Sequence, residues 1–322
     1  MDKCMSVSEH TGQTSGLASQ ALLGVVIVTY NSADVLPDLL DSLAAGLDGA
    51  GQYKVVVVDN KSSDQSVAIA QAHSIGAHVI RNSSNAGYAA GINLAATTLP
   101  ADANMLILNP DIRLLPGSVE KLVERATGES IGVVVPLILN ADGSRANSLR
   151  REPTLSTTWW QALLGPTFAS RLGLGEMITD NTAYGQSRSV DWATGAILLV
   201  TARARRRIGD WDESFFLYSE EVDYQRRVRS ANLQVVFVPE AQVFHAGGDY
   251  KQSSALTSIM ASNQIRYFAR HHRPVSTAMF RGALATFGLL RVWRSSAHRA
   301  VLKVALSPLQ PARNYVRAES GK

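Results

Sequence analysis

The stretch that decides the fold is LLGVVIVTYNS (residues 22–32), and YKVVVVDNKSSD (residues 53–64) has the same character. Each is an almost unbroken run of aliphatic residues that ends in a polar segment. A strand that is apolar on both faces is typical of a parallel sheet covered by helices on both sides. The same nearly continuous apolar pattern is found in AHVIR (residues 77–81) and NMLILN (residues 104–109), so the sequence predicts four buried parallel strands.

Helical patterns lie between these strands, at residues 35–45, 63–74 and 85–97. Alternating strands and helices with right-handed crossovers give a doubly wound sheet with helices on both faces. Beyond residue 115 the sequence predicts a hairpin at residues 132–151, turning at 141–143, and a further buried strand at residues 192–200. We therefore predict an α/β fold with a doubly wound, mostly parallel sheet, whose second half is built onto the edge of the first.

The composition is that of a globular protein with a substantial core, since 46% of the 322 residues are hydrophobic and 18% are charged. Cys4 is the single cysteine, which predicts a reducing, cytoplasmic compartment. Residues 1–20 are polar and lack the pattern of a secretory signal, so we expect a disordered tail there. No apolar run approaches the roughly 20 residues that a membrane-spanning helix needs.

The charge is unevenly distributed. Residues 262–322 carry 11 basic residues and one acidic residue, a net charge of +10, whereas the rest of the chain has a net charge of −6. Within that segment, residues 280–306 place basic side chains around apolar clusters. Two interpretations stay open: a helix that lies in an anionic membrane interface, or a helix that packs on its own domain. Nucleic-acid binding would explain the basic charge but would leave the carboxylates described below without a use, so no nucleic-acid partner is expected.

Polar residues follow each predicted strand, where open sheets of this kind bind ligands. The carboxylate of Asp59 can accept a hydrogen bond from a pyrimidine imide or a ribose hydroxyl, and the alternative is that its loop caps the next helix. Asp111 comes directly after Pro110 at the end of a strand, and a carboxylate there suits Mg²⁺ or Mn²⁺ that bridges a diphosphate. The alternative is a turn without a ligand.

An acidic cluster stands in FFLYSEEVDYQRRVR (residues 215–229). Glu220, Glu221 and Asp223 begin a helical pattern after an aromatic run, and His245 follows 22 residues later. Neighbouring negative charges and aromatic surroundings raise the pKa of a carboxyl group, which suits a general base near neutral pH. The alternative is an ordinary acidic first helical turn followed by a buried histidine.

Taken in order, these motifs resemble those of the GT-A glycosyltransferases of family 2, and in particular the rhamnosyltransferase-like branch. The segments that carry the resemblance are VIVTYNS (26–32), VVVDNKSSD (56–64), NAGYAAGIN (85–93), LILNPDI (106–112), NADGS (140–144), WATGAILLV (192–200), DESFFLYSEEVDYQRR (212–227) and VPEAQVFHAGG (238–248). The resemblance implies a GT-A domain at residues 21–250, followed by a basic helical region at residues 251–322.

The resemblance also implies roles for individual residues. Asp111 and His245 would hold a divalent metal, Mg²⁺ or Mn²⁺, and Asn109 stands where many members have the first Asp of a D-x-D element. Asn109 and Gly195 would meet the donor sugar, although Gly195 also suits close packing of the backbone. The expected nucleotide-binding residues are Thr29, Tyr30, Asn31, Asp59, Asn60, Asp64, Asn85 and Gly87.

The reaction that the resemblance implies is an inverting single displacement. The metal would neutralise the departing nucleoside diphosphate while Glu221 deprotonates the acceptor hydroxyl. Most members have a Glu-Asp pair where this chain has Glu220-Glu221, so the choice of base between the two stays open. The expected donor is dTDP-rhamnose, with a UDP-hexose as the alternative. The expected acceptor is a glycan or a polyprenyl-diphosphate-linked glycan of cell-surface polysaccharide synthesis, met at the inner face of the plasma membrane by a peripheral enzyme.

Other enzyme classes fit the sequence less well. A dinucleotide-dependent oxidoreductase would have G-x-G-x-x-G after the first strand, where this chain has TYNS (residues 29–32). A nucleotidyltransferase would have a glycine-rich basic loop at the same place. The absence of apolar segments of spanning length disfavours a processive synthase of the same family.

Overall fold

A computed structural model describes residues 22–246 and 253–308. The predicted tail, Gly247 and Gly248 of the last motif, and the basic residues beyond position 308 lie outside the described residues. The strands are β1 (Leu23–Thr29), β2 (Tyr53–Asp59), β3 (His78–Arg81), β4 (Asn104–Leu108), β5 (Ile112–Leu114), β6 (Ile131–Leu139), β7 (Leu149–Arg150), β8 (Arg188–Val190), β9 (Trp192–Ala193), β10 (Ile197–Val200) and β11 (Gln234–His245). The helices are α1 (Leu36–Gly46), α2 (Ser66–Ala72), α3 (Tyr88–Ala96), α4 (Ser118–Ala126), α5 (Leu155–Leu164), α6 (Pro166–Arg171), α7 (Ala202–Ile208), α8 (Glu220–Ser230), α9 (Ser254–His271), α10 (Pro274–Leu289) and α11 (Ser296–Leu306).

The described strands form one large sheet and one small one. In the large sheet the order is β3-β2-β1-β4-β10-β6-β11-β5, and β8 also pairs with β11. The first four strands are parallel, β10 runs antiparallel between β4 and β6, and β11 is parallel to β6. The predicted α/β fold with a mostly parallel, doubly wound sheet is confirmed.

Helices cover both faces of the sheet because the strand residues are apolar on both sides. In β1, Val25 and Ile27 join a cluster with leucines of α1 and α4, whereas Val26 and Val28 join a second cluster with residues of α3 and α8. This double burial explains why β1 and β2 could be predicted to within a residue. It also leaves the carboxyl ends of the strands as the open edge of the molecule.

The predicted hairpin is wrong in its second half. Residues 140–144 do turn, with the Gly143 N–H donating to the Asn140 carbonyl at 2.9 Å. The returning chain meets β6 at the single bridge between Leu139 and Arg145, and β7 then pairs with β9.

The predicted strand at residues 192–200 is interrupted between β9 and β10. The side chain of Gln225 in α8 accepts a hydrogen bond from the Ala193 N–H and donates one to the Ala193 carbonyl, both at 2.8 Å. An amide side chain thus takes the place of a neighbouring strand, and residues 194–196 are free to form a turn.

Residues 280–306 form parts of two helices, α10 and α11, with a break at residues 290–295. A Cβ atom on Gly288 would lie 2.8 Å from the backbone nitrogen of Leu302, so the two helices cross in close contact. Ser295 caps α11 by accepting from the His298 N–H. Helices α9, α10 and α11 share a small core around Phe268, Phe280 and Val304.

Candidate active site

A cavity of about 410 Å³ opens beside the end of β4 and the start of α8. Asn109, His245, Glu220 and Glu221 line it, together with Gly195 in the turn between β9 and β10. The structure therefore brings a strand end, a turn and the acidic helix, which are far apart in sequence, to one hollow.

Asp111 and His245 are adjacent because β5 pairs antiparallel with β11, which sets His245 opposite Ile112. The Nε2 atom of His245 lies 3.1 Å from Oδ2 of Asp111. Asp111 is only 3% exposed, and both of its carboxylate oxygens lack a hydrogen-bond partner in the described part of the chain. It also lines a neighbouring cavity of about 190 Å³, so the pair stands between two hollows.

This donor set suits a divalent cation. A buried carboxylate without partners is costly unless it is paired with a cation or coordinates a metal. Among residues 22–246 and 253–308, no three His, Cys, Asp or Glu side chains come together as a metal site. Asp111 and His245 would thus supply two ligands, and diphosphate oxygens and water would complete the shell, as is usual for Mg²⁺.

Glu220 is buried and Glu221 is partly buried, and each has a carboxylate oxygen without a hydrogen-bond partner among the described residues. Burial raises the pKa of both groups. The charge of Glu221 raises the pKa of Glu220 further, whereas the guanidinium of Arg150 opposes the rise at Glu221. The positive charge of Arg150 thus favours the ionised form of Glu221.

Arg150 also lines the 410 Å³ cavity. It is a cation whose charge acts on Glu221 and Glu176. It is absent from the predicted site because a single arginine after an irregular segment follows no pattern.

Asp223 is placed differently from the two glutamates. Its buried carboxylate contacts Nε of Arg227 at 2.8 Å, Arg270 at 3.4 Å and Nε2 of His271 at 3.3 Å. The contacts with Arg270 and His271 join α8 to α9, and Asp223 is not among the residues that line the cavity. The structure thus does not bring Asp223 to the site together with Glu220 and Glu221.

The backbone that leads into α8 is strained. Phe216, Tyr218 and Ser219 have φ values of 63°, 69° and 72°, in the left-handed region that side chains other than glycine rarely adopt. Asn263 of α9 is fully buried, and its amide nitrogen donates to the carbonyls of Leu217 at 2.8 Å and Tyr218 at 3.2 Å, and also to that of Phe215. One side chain of the C-terminal region therefore holds the strained loop that positions Glu221.

Two glycines allow residues 216 and 221 to pack closely against the neighbouring backbone. Gly87 has a φ of +95°, and a Cβ atom there would lie 2.4 Å from the Phe216 carbonyl, which accepts a hydrogen bond from the Tyr88 N–H. A Cβ atom on Gly195 would lie 3.2 Å from Cβ of Glu221. The glycine in the turn at residues 194–196 thus fixes the space around Glu221.

Most of the predicted nucleotide-binding residues brace the loops at the strand ends. Asp59 accepts from the Thr29 hydroxyl at 3.0 Å and from the Ser62 N–H at 2.9 Å. The Asn31 side chain accepts from the Ser63 N–H at 2.8 Å. Asp64 accepts from the Ala33 N–H at 2.9 Å. Tyr30 is about half exposed beside them.

Asn60 and Asn85 organise the next loop. The Asn60 amide donates to the Gly87 carbonyl at 3.0 Å, and Asn85 accepts from the Gly87 N–H at 3.1 Å. These contacts shape the edge of the sheet toward Tyr88, which lines the 410 Å³ cavity. The loops at the carboxyl ends of β1, β2 and β3 thus form one hydrogen-bonded rim.

Residues 24–195 match the family described as glycosyl transferase family 2. An N-acetylglucosaminyl-diphospho-decaprenol L-rhamnosyltransferase of Mycobacterium tuberculosis is 31% identical over 241 residues, which cover 70% of this chain and 76% of that protein. A rhamnosyltransferase of Escherichia coli is 24% identical over 69% of this chain and 82% of that protein. A hexosyltransferase of low-salt glycan biosynthesis in Haloferax volcanii is 26% identical over 66% of this chain and 63% of that protein.

Solved structures resemble the fold at low sequence identity. A mannosyltransferase from Pyrobaculum calidifontis, in complex with GDP-Man and Mn²⁺, has a TM-score of 0.52 at 14% identity and covers 93% of this chain and 79% of its own. GalNAc-T7 with UDP, GalNAc and Mn²⁺ has a TM-score of 0.57 at 14% identity, over 94% of this chain and 57% of its own. At this level of identity the likeness shows a common fold alone.

Proposed function

The chain belongs to glycosyl transferase family 2, and on that premise and its GT-A fold we propose that it transfers L-rhamnose from dTDP-rhamnose, with inversion, to a glycan linked to a polyprenyl diphosphate. The observation that carries the proposal is the shared 410 Å³ cavity, which is lined by Glu221 and by His245, the neighbour of Asp111. A transferase of this kind needs a site for the leaving diphosphate and a base within reach of the same sugar carbon.

The leaving group is proposed to lie at the Asp111 side of the cavity. When bound to Asp111 and His245, a divalent cation supplies positive charge that neutralises the diphosphate. Arg150 contributes a fixed cation at the same hollow. Asn109 lines the cavity two residues before Asp111 and can hydrogen-bond the donor sugar.

The base is proposed to be Glu221. Its carboxylate takes the proton of the acceptor hydroxyl as that oxygen bonds to the anomeric carbon, and the bond from that carbon to the diphosphate oxygen breaks with its electron pair on the leaving group. Glu220 stays protonated because the charge of Glu221 disfavours a second one. Burial of both groups fits a base that holds its proton to higher pH than an exposed carboxyl group.

Rhamnose is the preferred donor sugar because two relatives carry the name rhamnosyltransferase. The relative from Haloferax volcanii is named a hexosyltransferase, and it supports a UDP-hexose as the second candidate. Pocket shape decides between these sugars, since the same strand-end motifs serve both.

The test of this function is a donor screen that measures nucleotide release from dTDP-rhamnose, UDP-glucose and UDP-N-acetylglucosamine, with Mn²⁺ or with EDTA. We expect the fastest release from dTDP-rhamnose with Mn²⁺. Asp111→Asn should lose the Mn²⁺-dependent part of dTDP affinity, whereas Asp48→Asn, a matched change at an exposed position, should not. Release that is the same with EDTA, or no release from any donor, would contradict the proposal.

We propose that the enzyme acts at a membrane surface. Trp293 is 75% exposed between α10 and α11, and Leu289, Leu290, Leu163 and Phe168 are also exposed. The Arg291 guanidinium donates to the Ala162 carbonyl at 2.7 Å, so the end of α10 lies against the end of α5. We call the exposed apolar residues 163, 168, 289, 290 and 293 the corner patch.

Three exposed arginines are close in sequence to the corner patch: Arg171, Arg294 and Arg299. Exposed aromatic and aliphatic side chains flanked by arginines are complementary to an anionic lipid surface. Among the described helices, none has the length and apolar character needed to cross a bilayer. The proposed contact is therefore attachment to the surface, where a lipid-linked acceptor is met.

A further inference from the structure

Glu221 also lines a second cavity. It measures about 140 Å³ and is enclosed by α5, α8, α9 and α10. Tyr218 and Glu221 line both this cavity and the 410 Å³ one. Glu221 thus contributes to the walls of two cavities.

The second cavity has one apolar side and one polar side. Trp192, Met260, Phe280 and Leu284 contribute apolar surface. Its polar side chains include those of Gln161, Glu176 and Gln264. Burial raises the pKa of Glu176 to about 7, against the opposing charge of Arg150, so the group can donate or accept a hydrogen bond near neutral pH.

The side chain of Gln264 makes no hydrogen bond to the rest of the described residues. An amide that is partly withdrawn from water and has no partner is in a position to bind a ligand. Gln264 belongs to α9, which lies outside residues 24–195 that match the family. Its position is therefore a feature of this chain's C-terminal helices.

An inverting displacement dictates where the acceptor must be. The attacking oxygen reaches the anomeric carbon from the face opposite the leaving group, and the base must touch that oxygen. The acceptor must therefore lie next to Glu221, and the 140 Å³ cavity is the second hollow that Glu221 lines.

We propose that the cavity between α5, α8, α9 and α10 is the acceptor-sugar subsite, and that Gln264 and Glu176 recognise polar groups of the acceptor. The aliphatic face of a sugar ring packs against Trp192 and Phe280, while hydroxyl or acetamido groups bond Gln264 and Glu176. This proposal rests on the proposed transfer function and adds the location and chemistry of acceptor binding.

The experiment measures acceptor KM and kcat for rhamnosyl transfer to N-acetylglucosaminyl diphosphate linked to a short polyprenyl chain. Loss of one hydrogen bond in Gln264→Leu should raise acceptor KM by roughly threefold to tenfold and leave the Kd for dTDP with Mn²⁺ at the wild-type value. Gln71→Leu, the same change on the exposed face of α2, is the matched control.

A second variant fills the cavity. Leu284→Trp should abolish transfer to this acceptor while dTDP binding and donor hydrolysis without acceptor persist, which also shows that the protein is folded. Unchanged acceptor KM in both Gln264→Leu and Leu284→Trp would overturn the subsite. A wild-type protein that neither hydrolyses nor transfers from any nucleotide sugar would instead overturn the proposed function.

Discussion

At the scale of single residues, two adjacent carboxyl groups are expected to behave differently. Glu221→Gln should lower kcat by about 10² to 10⁴, the usual contribution of a general base, while nucleotide affinity is retained. Glu220→Gln should lower kcat by less than about tenfold, because Glu220 is protonated in the proposed mechanism and an amide keeps its size. Steady-state kinetics of both variants checks this, and the reverse order of losses would move the base to Glu220.

The pH dependence of activity follows from the same burial. Burial raises the pKa of Glu221 above the usual glutamate value of 4.5, so kcat/KM should rise with pH through that raised pKa and reach a plateau above it. The acidic limb should therefore lie at higher pH than an exposed glutamate would give. A limb at or below pH 4.5 would contradict the burial of the base.

Stability is expected to fall as pH rises, whereas activity is expected to rise. A carboxyl group that keeps its proton in the folded state to higher pH than in the unfolded state contributes less stability as pH rises from 4.5 through the folded pKa. Glu220→Gln removes this penalty. Its Tm should therefore fall less than that of the wild type between roughly pH 5 and roughly pH 8. Thermal unfolding monitored by circular dichroism at the two pH values measures the difference.

Sequence patterns indicate the residues that belong to a motif and miss the isolated ones. Asp111 and His245 were grouped from motifs far apart in sequence, and their side chains lie 3.1 Å apart, although metal binding by them stays a prediction. Arg150, Gln225 and Asn263 follow no recognisable spacing. Their importance arises only from tertiary contacts, which a single sequence does not reveal.

At the scale of secondary structure elements, α9 is expected to control catalysis through Asn263. Asn263→Asp keeps the size of the side chain but removes the N–H donors that hold residues 215–218. Losing donors to buried carbonyls should cost about 1 to 3 kcal/mol of unfolding free energy. We also expect kcat to fall at least about tenfold, because the loop that leads into Glu221 relaxes.

The measurement is kcat together with urea unfolding of Asn263→Asp and Asn263→Leu. Both variants should lose activity at a temperature where they are still folded. Full kcat in either folded variant would show that the strained loop does not need the clamp from α9.

The strands of the first half could be predicted because burial on both faces makes them continuously apolar, as in VVVV at residues 55–58. The interrupted strand at residues 192–200 could not, because the interruption is stabilised by Gln225, 32 residues later than Ala193. In the same way the turn at residues 140–144 was visible, but the partner of β7 depends on where β9 lies.

At the scale of the whole molecule, the basic C-terminal region was open to two interpretations, and the structure contains features of both. Phe280, Val301 and Val304 face inward and form a core with α9. Trp293 and Leu289 face outward in the corner patch. Because one helical region supplies both a packed face and an exposed face, its composition alone could not decide between them.

The corner patch makes a prediction for membrane binding. The protein should sediment with vesicles of phosphatidylglycerol and phosphatidylcholine, and at least about tenfold less with phosphatidylcholine alone, since each basic residue near an anionic surface contributes about 1 kcal/mol. Leu290→Ser combined with Trp293→Ser should weaken binding to the anionic vesicles. Tyr53→Ser removes an exposed apolar side chain at the start of β2 and serves as the matched control. Equal sedimentation of the double variant and the wild type would contradict the membrane contact.

The most direct test of the central claim is a crystal structure with dTDP and Mn²⁺, in which anomalous scattering locates the metal. We expect Mn²⁺ bound to the Asp111 carboxylate, His245 and the diphosphate, with the terminal phosphate directed into the cavity that Glu221 lines. Nucleotide and metal bound elsewhere, with that cavity vacant, would contradict the account.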